Sequence, residues 1–275
     1  MENFESKVAA ITGAGSGIGR ALAVELAKRG AHLALSDVDE DGLAETVAMC
    51  EGYGVKVTSD RVDVADRDAV FAWADSVEDA HGKVNLIFNN AGVALGATVE
   101  GMRDEDFRWL IDINFWGVVH GTRAFLPHLK AAGEGHIVNL SSVFGLAGIP
   151  SQSAYNAAKF AVRGFTESLR QELDILRCGV SVTSVHPGGI KTNIARAART
   201  DPSIASLGID PASAATRFER GFMTSPDSAA RTILRAVEKD RRRVLVGPDA
   251  HVLDWMVRLL PSLYQRVTVA LARRV

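Results

Sequence analysis

Short apolar runs alternate with longer amphipathic stretches through most of the chain. Lys7–Ile11 is short and apolar and leads into a Gly-rich turn, the pattern of a buried strand. Gly17–Arg29 places Ile18, Leu22, Leu26 and Ala27 on one helical face, and Gly30 ends it. The same reading predicts strands at 32–36, 55–58, 86–88, 136–140, 180–186 and 244–246. Between them it predicts helices at 39–50, 66–80, 154–176 and one long helix over 104–129, with Pro127 near its end. Helices between successive strands imply right-handed crossovers. The predicted fold class is therefore α/β, a doubly wound parallel sheet of about seven strands with helices on both faces. Such a sheet takes its ligand beyond the carboxyl ends of its strands, where the strand order switches.

Composition narrows the picture. The 275 residues are 47% hydrophobic and 23% charged, which suits a single domain spanning 1–275 with a sizeable core. The formal charge of −2 favours neither nucleic acid nor an anionic surface as a partner of the whole molecule, so any anion site must be local. Cys50 and Cys178 are far apart and have no CxxC partner, which speaks against a disulfide framework and for a reducing, cytoplasmic setting. The first residues carry Glu2 and Glu5 and lack the basic start of a signal peptide. No run of about 18 apolar residues predicts a transmembrane helix, and the seven histidines show no ligand spacing, so no metal site is expected.

Thr12–Gly19 lies between the first strand and the first helix, with glycines at 13, 15, 17 and 19 around Ser16 and Ile18. Side chains here would block both a sharp turn and close approach of an anion. The helix behind it offers unpaired N–H groups and a positive dipole end, which suits a pyrophosphate. Asp37 ends the second strand, where a carboxylate can accept from both ribose hydroxyls and repel a 2′-phosphate. That favours NAD, with NADP still possible because Arg20 stands beside the loop and is expected to face the surface. The competing role for Asp37, ranked below ribose binding, is to cap the following acidic helix.

Tyr155 and Lys159 are one helical turn apart and share a face. Bringing a phenol from about 10 to near 7 takes about 4 kcal/mol of preferential phenolate stabilisation, much of which a nearby ammonium can supply. Ser142 follows the fifth strand at the ligand edge, where its hydroxyl can hold a substrate oxygen.

Together, Thr12–Gly19, Asp63-Val64, Asn89–Gly92, Asn114, Ser142, Tyr155-x-x-x-Lys159, Pro187-Gly188 and Thr192 resemble the short-chain dehydrogenase/reductase family over about residues 5–195. The resemblance implies a Rossmann-type fold and a nicotinamide-dependent enzyme that moves hydride between cofactor and an alcohol or ketone. It implies that Asp63 and Val64 bind adenine, and that Asn90, Ala91 and Gly92 pass beside the ribose. Pro187, Gly188, Ile190 and Thr192 would place the nicotinamide, and Asn114 would hold a relay water. Ser142, Tyr155 and Lys159 would form the catalytic set, with Lys159 lowering the phenol and reaching the ribose. A homo-oligomer, dimer or tetramer, is the family expectation. Two other functions remain open: a non-catalytic dinucleotide sensor, and an epimerase or dehydratase using the same Tyr and Lys.

Residues 193–224 read as a lid, with Leu95, Val143, Phe144 and Gly145 as candidate substrate contacts. The absence of an obvious charged clamp points to a bulky, hydrophobic alcohol or ketone. The extension over 249–275 departs from the commonest family pattern and is similar to the tails of members acting on lipophilic alcohols. It is amphipathic, with Pro261 dividing two helices. Subunit interface, pocket cover and membrane-surface contact are its competing roles.

Overall fold

The computed structural model describes residues 1, 3–219 and 221–272. Its centre is a seven-stranded parallel sheet built from β1 (Val8–Thr12), β2 (His32–Asp37), β3 (Val57–Arg61), β4 (Leu86–Asn89), β6 (Gly135–Leu140), β7 (Val180–Pro187) and β9 (Arg243–Val246). The order is β3-β2-β1-β4-β6-β7-β9, so the strand sequence reverses between β1 and β4. The predicted class and the Rossmann-type arrangement hold.

The inner strands are apolar throughout because both sheet faces are covered. Ala9, Ile11, Leu33, Leu35 and Phe88 point to one face and meet α1 (Gly17–Lys28) and α8 (Pro226–Glu238). Val8, Ala10, Ile87 and Ile137 point to the other and meet α3 (Arg67–His81), α5 (Gly117–Ala131) and α6 (Ser153–Leu176). α2 (Glu40–Glu51) follows β2, with Asp39 capping it through the Gly42 N–H.

Three elements differ from the sequence expectation. The long helix is not continuous: α4 (Asp104–Ile111) passes through a π-helical segment, Asp112–Trp116, into α5. Such widened turns recur at functional sites, and Asn114 sits inside this one. β3 lies two residues later than predicted, because its register is set by pairing with β2 (Leu33 beside Val57, Asp37 beside Arg61) and not by its own mostly polar residues. α8 has no counterpart in the predicted elements. Its signals are local: Ser225 caps it, Pro226 starts it, and Ala229, Ala230, Ile233, Leu234 and Val237 form a buried stripe.

Between β7 and α8 the chain forms β8 (Arg199–Thr200), a 3₁₀ turn at Pro202–Leu207 and α7 (Ala214–Glu219). β8 pairs in parallel with β5 (Leu95–Gly96), away from the main sheet. The two ends of this excursion meet, since Met223 and Thr224 both donate to the Gly189 carbonyl. The extension forms α9 (Pro248–Leu259) and α10 (Tyr264–Ala272) on either side of Pro261, as predicted; its last three positions, 273–275, lie outside the described residues. Among the described residues no helix is long and apolar enough to cross a membrane.

Candidate active site

A cavity of about 1000 Å³ opens at the carboxyl ends of the strands, at the switch in strand order. Along one side lie Gly13, Ser16, Gly17, Ile18 and Asp37, then Asp63 and Val64, then Asn90, Ala91 and Gly92. Further along lie Lys159 and the segment carrying Pro187, Gly188, Ile190 and Thr192. Ser142, Val143, Phe144, Tyr155 and Leu95 close the other end. Nearly all the residues singled out in the sequence therefore share one space.

Gly19, Gly145 and Asn114 are among those that do not line it. Gly19 packs behind the loop, where any Cβ would overlap the Gly13 carbonyl oxygen. Gly145 packs away from the cavity: a Cβ there would overlap Ser141 and the Lys159 main chain, so the residue lets the 142–145 turn lie flat on α6. Asn114 is fully buried, and its side-chain amide is spent on Val93, accepting from its N–H and donating to its carbonyl at 2.8 Å each.

The loop fits a dinucleotide. Gly13 adopts φ +65°, and a Cβ would stand 2.8 Å from Ala91 Cα. The loop is braced from the next strand: Asn90 Nδ2 donates to the carbonyls of Thr12 and Gly13 at 2.9 and 3.0 Å, and Thr12 Oγ1 accepts from the Asn90 and Ala91 N–H groups. Asp37 Oδ2 accepts from Gly15 N at 2.7 Å, which locks the carboxylate against the loop at the cavity edge. Arg20 does not face the surface as expected. It lies beneath the loop, donating to the carbonyls of Gly15 and Gly42, to Thr46 and to Glu45. Its fork is therefore committed within the protein.

The end that holds Ser142, Tyr155 and Lys159 is assembled from two elements. Ser142, at the start of the 3₁₀ turn Val143–Gly145, accepts from Phe144 N at 3.1 Å. Lys159 Nζ donates to the Leu140 carbonyl at 3.0 Å and lies 5.5 Å from the centre of the Tyr155 ring. Three residues that the sequence reading does not single out fix this geometry. Asn156, next to Tyr155, donates to the carbonyls of Phe144 and Ala147 and accepts from Ile149 N, pinning the substrate-side loop. His186 Nδ1 bonds the Ser142 carbonyl at 3.0 Å from below. Asp249, from the start of α9, accepts from Gly189 N at 2.6 Å and so holds the Pro187–Thr192 segment from the far end of the chain.

The profile of the short chain dehydrogenase family matches residues 7–203. The chain belongs to that family. SadH of Mycobacterium tuberculosis, which carries the name of an oxidoreductase, is 54% identical over 98% of this chain and 96% of its own length. Estradiol 17-beta-dehydrogenase 11 of Pongo abelii is 34% identical over 97% of this chain and 83% of its own. A short-chain dehydrogenase/reductase from Burkholderia phymatum, solved in complex with NAD, superposes with a TM-score of 0.87, covers 96% of this chain and 97% of its own, and is 34% identical. This short-chain dehydrogenase is thus an oxidoreductase with a nicotinamide dinucleotide cofactor.

The surroundings that the protein itself provides work against charge at both groups. Burial pushes Tyr155 up to about 12, against the opposing hydrogen bond from Ser142. The same burial lowers Lys159 to about 8, so the ammonium that should help the phenolate is itself weakened. The reason is shared: both groups sit among apolar walls that disfavour any charge. Around them the chamber is lined by Val93, Ala94, Ile204, Ile209 and Leu253. An aromatic line runs outward from the phenol, edge to face, from Tyr155 to Phe144 at 5.9 Å, to Phe218 at 5.8 Å and to Phe222 at 5.5 Å.

Proposed function

We propose that this dehydrogenase interconverts a lipophilic secondary alcohol and its ketone, with NAD as the preferred cofactor. The observation that carries the reading is the junction at Tyr155. Its phenol lies where a groove fitted to a dinucleotide meets an apolar chamber walled by Phe144, Phe218 and Leu253.

A nicotinamide dinucleotide held by Asp37, Lys159 and the Gly13–Gly19 loop would supply the hydride acceptor and, in its oxidised form, a positive charge. The chain supplies the proton chemistry. Ser142 and Tyr155 hold the substrate oxygen by hydrogen bonds. In oxidation Tyr155 takes the hydroxyl proton, and in reduction it returns it. Lys159, when protonated, favours the phenolate and offers donors to a ribose. The side chain of Asn114 is committed to Val93. Its part in a relay therefore falls to its main-chain carbonyl, in the widened π-helical turn. The carboxylate of Asp37 and the committed fork of Arg20 both favour a free ribose over a 2′-phosphate. Residues 193–224 act as the lid, anchored through β8.

The relatedness to estradiol 17-beta-dehydrogenase 11 supports the lipophilic substrate class. The test is cofactor absorbance with NAD and with NADP across short polar and long or polycyclic secondary alcohols and ketones. Turnover should rise with apolar size. Confinement of activity to short polar alcohols would defeat the substrate reading, and no turnover of any carbinol would defeat the reaction.

A further inference from the structure

Asp249 carries a charge that its hold on Gly189 does not use up. It stands at the start of α9 and lines the cavity, with Oδ2 accepting from Gly189 N. Its Oδ1 is shielded from solvent and makes no hydrogen bond among the described residues. Two glycines clear the room that the carboxylate takes. A Cβ at Gly188 would overlap both of its oxygens, and one at Gly247 would stand 2.6 Å from Oδ1. Its neighbouring arginines in sequence are engaged elsewhere: Arg242 pairs with Asp174, and Arg243 and Arg258 pair with Asp254. The positive end of α9 eases the burial but gives Oδ1 no hydrogen bond.

A shielded carboxylate with one oxygen unpaired is costly unless a positive group comes near it. The chemistry of the cavity says which group that is. His186 ties the end of β7 to the Ser142 carbonyl, and the Ser142 hydroxyl bonds the Tyr155 phenol. Gly188 and Gly189, which follow on β7, line the cavity beside that pair. A carbinol held by Ser142 and Tyr155 can pass a hydride only to a ring in contact with it. That ring is the part of a nicotinamide dinucleotide whose charge changes, positive when oxidised and neutral when reduced. A negative charge behind Gly188 therefore acts on one form and not on the other.

We propose that Asp249 is a positioning residue that sets the preference of the site for oxidised over reduced cofactor, through a charge held behind the Gly188–Gly189 backbone. Bracing of Gly189 alone would serve both forms equally. The inference rests on the nicotinamide meeting Tyr155, as in the function proposed above, but not on the substrate, and it is read by binding without turnover. The experiment is titration of full-length wild type and Asp249→Asn with NAD, with NADH and with ADP-ribose, which lacks the nicotinamide. Thermal melting checks that the variant folds. Asparagine keeps the shape of the side chain and an oxygen for Gly189 N, and removes the charge. The affinity for NAD relative to NADH should fall about tenfold in the variant, while ADP-ribose binds both proteins alike. An unchanged ratio of NAD to NADH affinity overturns the proposal. So does an equal loss for all three ligands, which would leave Asp249 as a brace. If the variant does not fold, the wild type decides: the oxidised nicotinamide should add more to binding over ADP-ribose than the reduced one, and the reverse order overturns the proposal. Binding of neither NAD nor NADH by the wild type would remove the cofactor reading itself, and this inference with it.

Discussion

The side chain of Asn114 pairs with both main-chain groups of Val93, as a neighbouring strand would. A side chain from the π-helical turn thereby carries the backbone of residues 92–94 past Lys159, with Gly92 close against both. Asn114→Ala would leave the two partly buried main-chain groups of Val93 without their side-chain partner. The expected loss is about 2–4 kcal/mol of stability, visible as a lower melting temperature, together with a fall in kcat. An unchanged melting temperature would refute this bracing role.

Tyr155→Phe keeps the ring, and with it the edge-to-face contact with Phe144. It removes only the proton donor and acceptor. Turnover should fall by about 10³-fold or more, while NADH binding, followed by fluorescence titration, stays within a few-fold of wild type. Turnover near the wild-type level would reject Tyr155 as the acid and base.

Asp37→Asn keeps the size of the side chain and removes its charge. The kcat/KM with NAD should fall by about ten- to a hundredfold. The gap between NAD and NADP should narrow. Steady-state kinetics with both cofactors decides it, and an unaltered ratio would show that Asp37 serves only to brace Gly15.

Gly19→Ala introduces a methyl group into the space of the Gly13 carbonyl, where only backbone is available to yield. Cofactor affinity should drop at least tenfold, because the loop must shift away from its seat. Isothermal titration of the variant against NAD is the measurement, and wild-type affinity would contradict the packing seen here.

Two buried histidines make the fold acid-sensitive. Burial lowers His136 and His186 from 6.5 to about 4. Between those values the unfolded chain binds more protons than the folded one, so stability rises with pH across this window and is lost as pH falls through it. Each histidine contributes on the order of 3 kcal/mol to the loss on going from pH 7 to pH 4. Denaturant melts at several pH values test this. His186→Asn should flatten the curve, and an equally steep curve would remove His186 from the account.

The sheet and the loop were legible because their signals are local. A continuous apolar run marks a strand covered on both faces, and glycines between a strand and a helix mark a close approach. What escaped depends on distance. Asn156 looks like any polar residue in a helix until the 144–149 loop is folded against it. His186 is one more residue of a buried strand until Ser142 lies above it. Asp249 acts on Gly189, sixty residues earlier in the chain. Arg20 was misplaced because helix periodicity puts it outside α1, and only the arrival of α2 covers it. The upward shift that burial gives Tyr155 depends on the fold for a related reason. Sequence reveals the neighbouring ammonium but not the apolar walls that weaken both groups.

The hold of Asp249 on the Gly189 backbone, and that of Tyr264 on Gly148, have a consequence for biosynthesis. The Gly-rich loop and the first strands leave the ribosome early, and they can settle on one another as they emerge. The Pro187–Thr192 segment and the loop behind Ser142 wait for Asp249 and Tyr264. A nascent chain that has not yet reached Tyr264 would thus hold a formed Gly-rich loop and an unfinished cavity. The two ends of the cavity are completed at different times in the making of the protein.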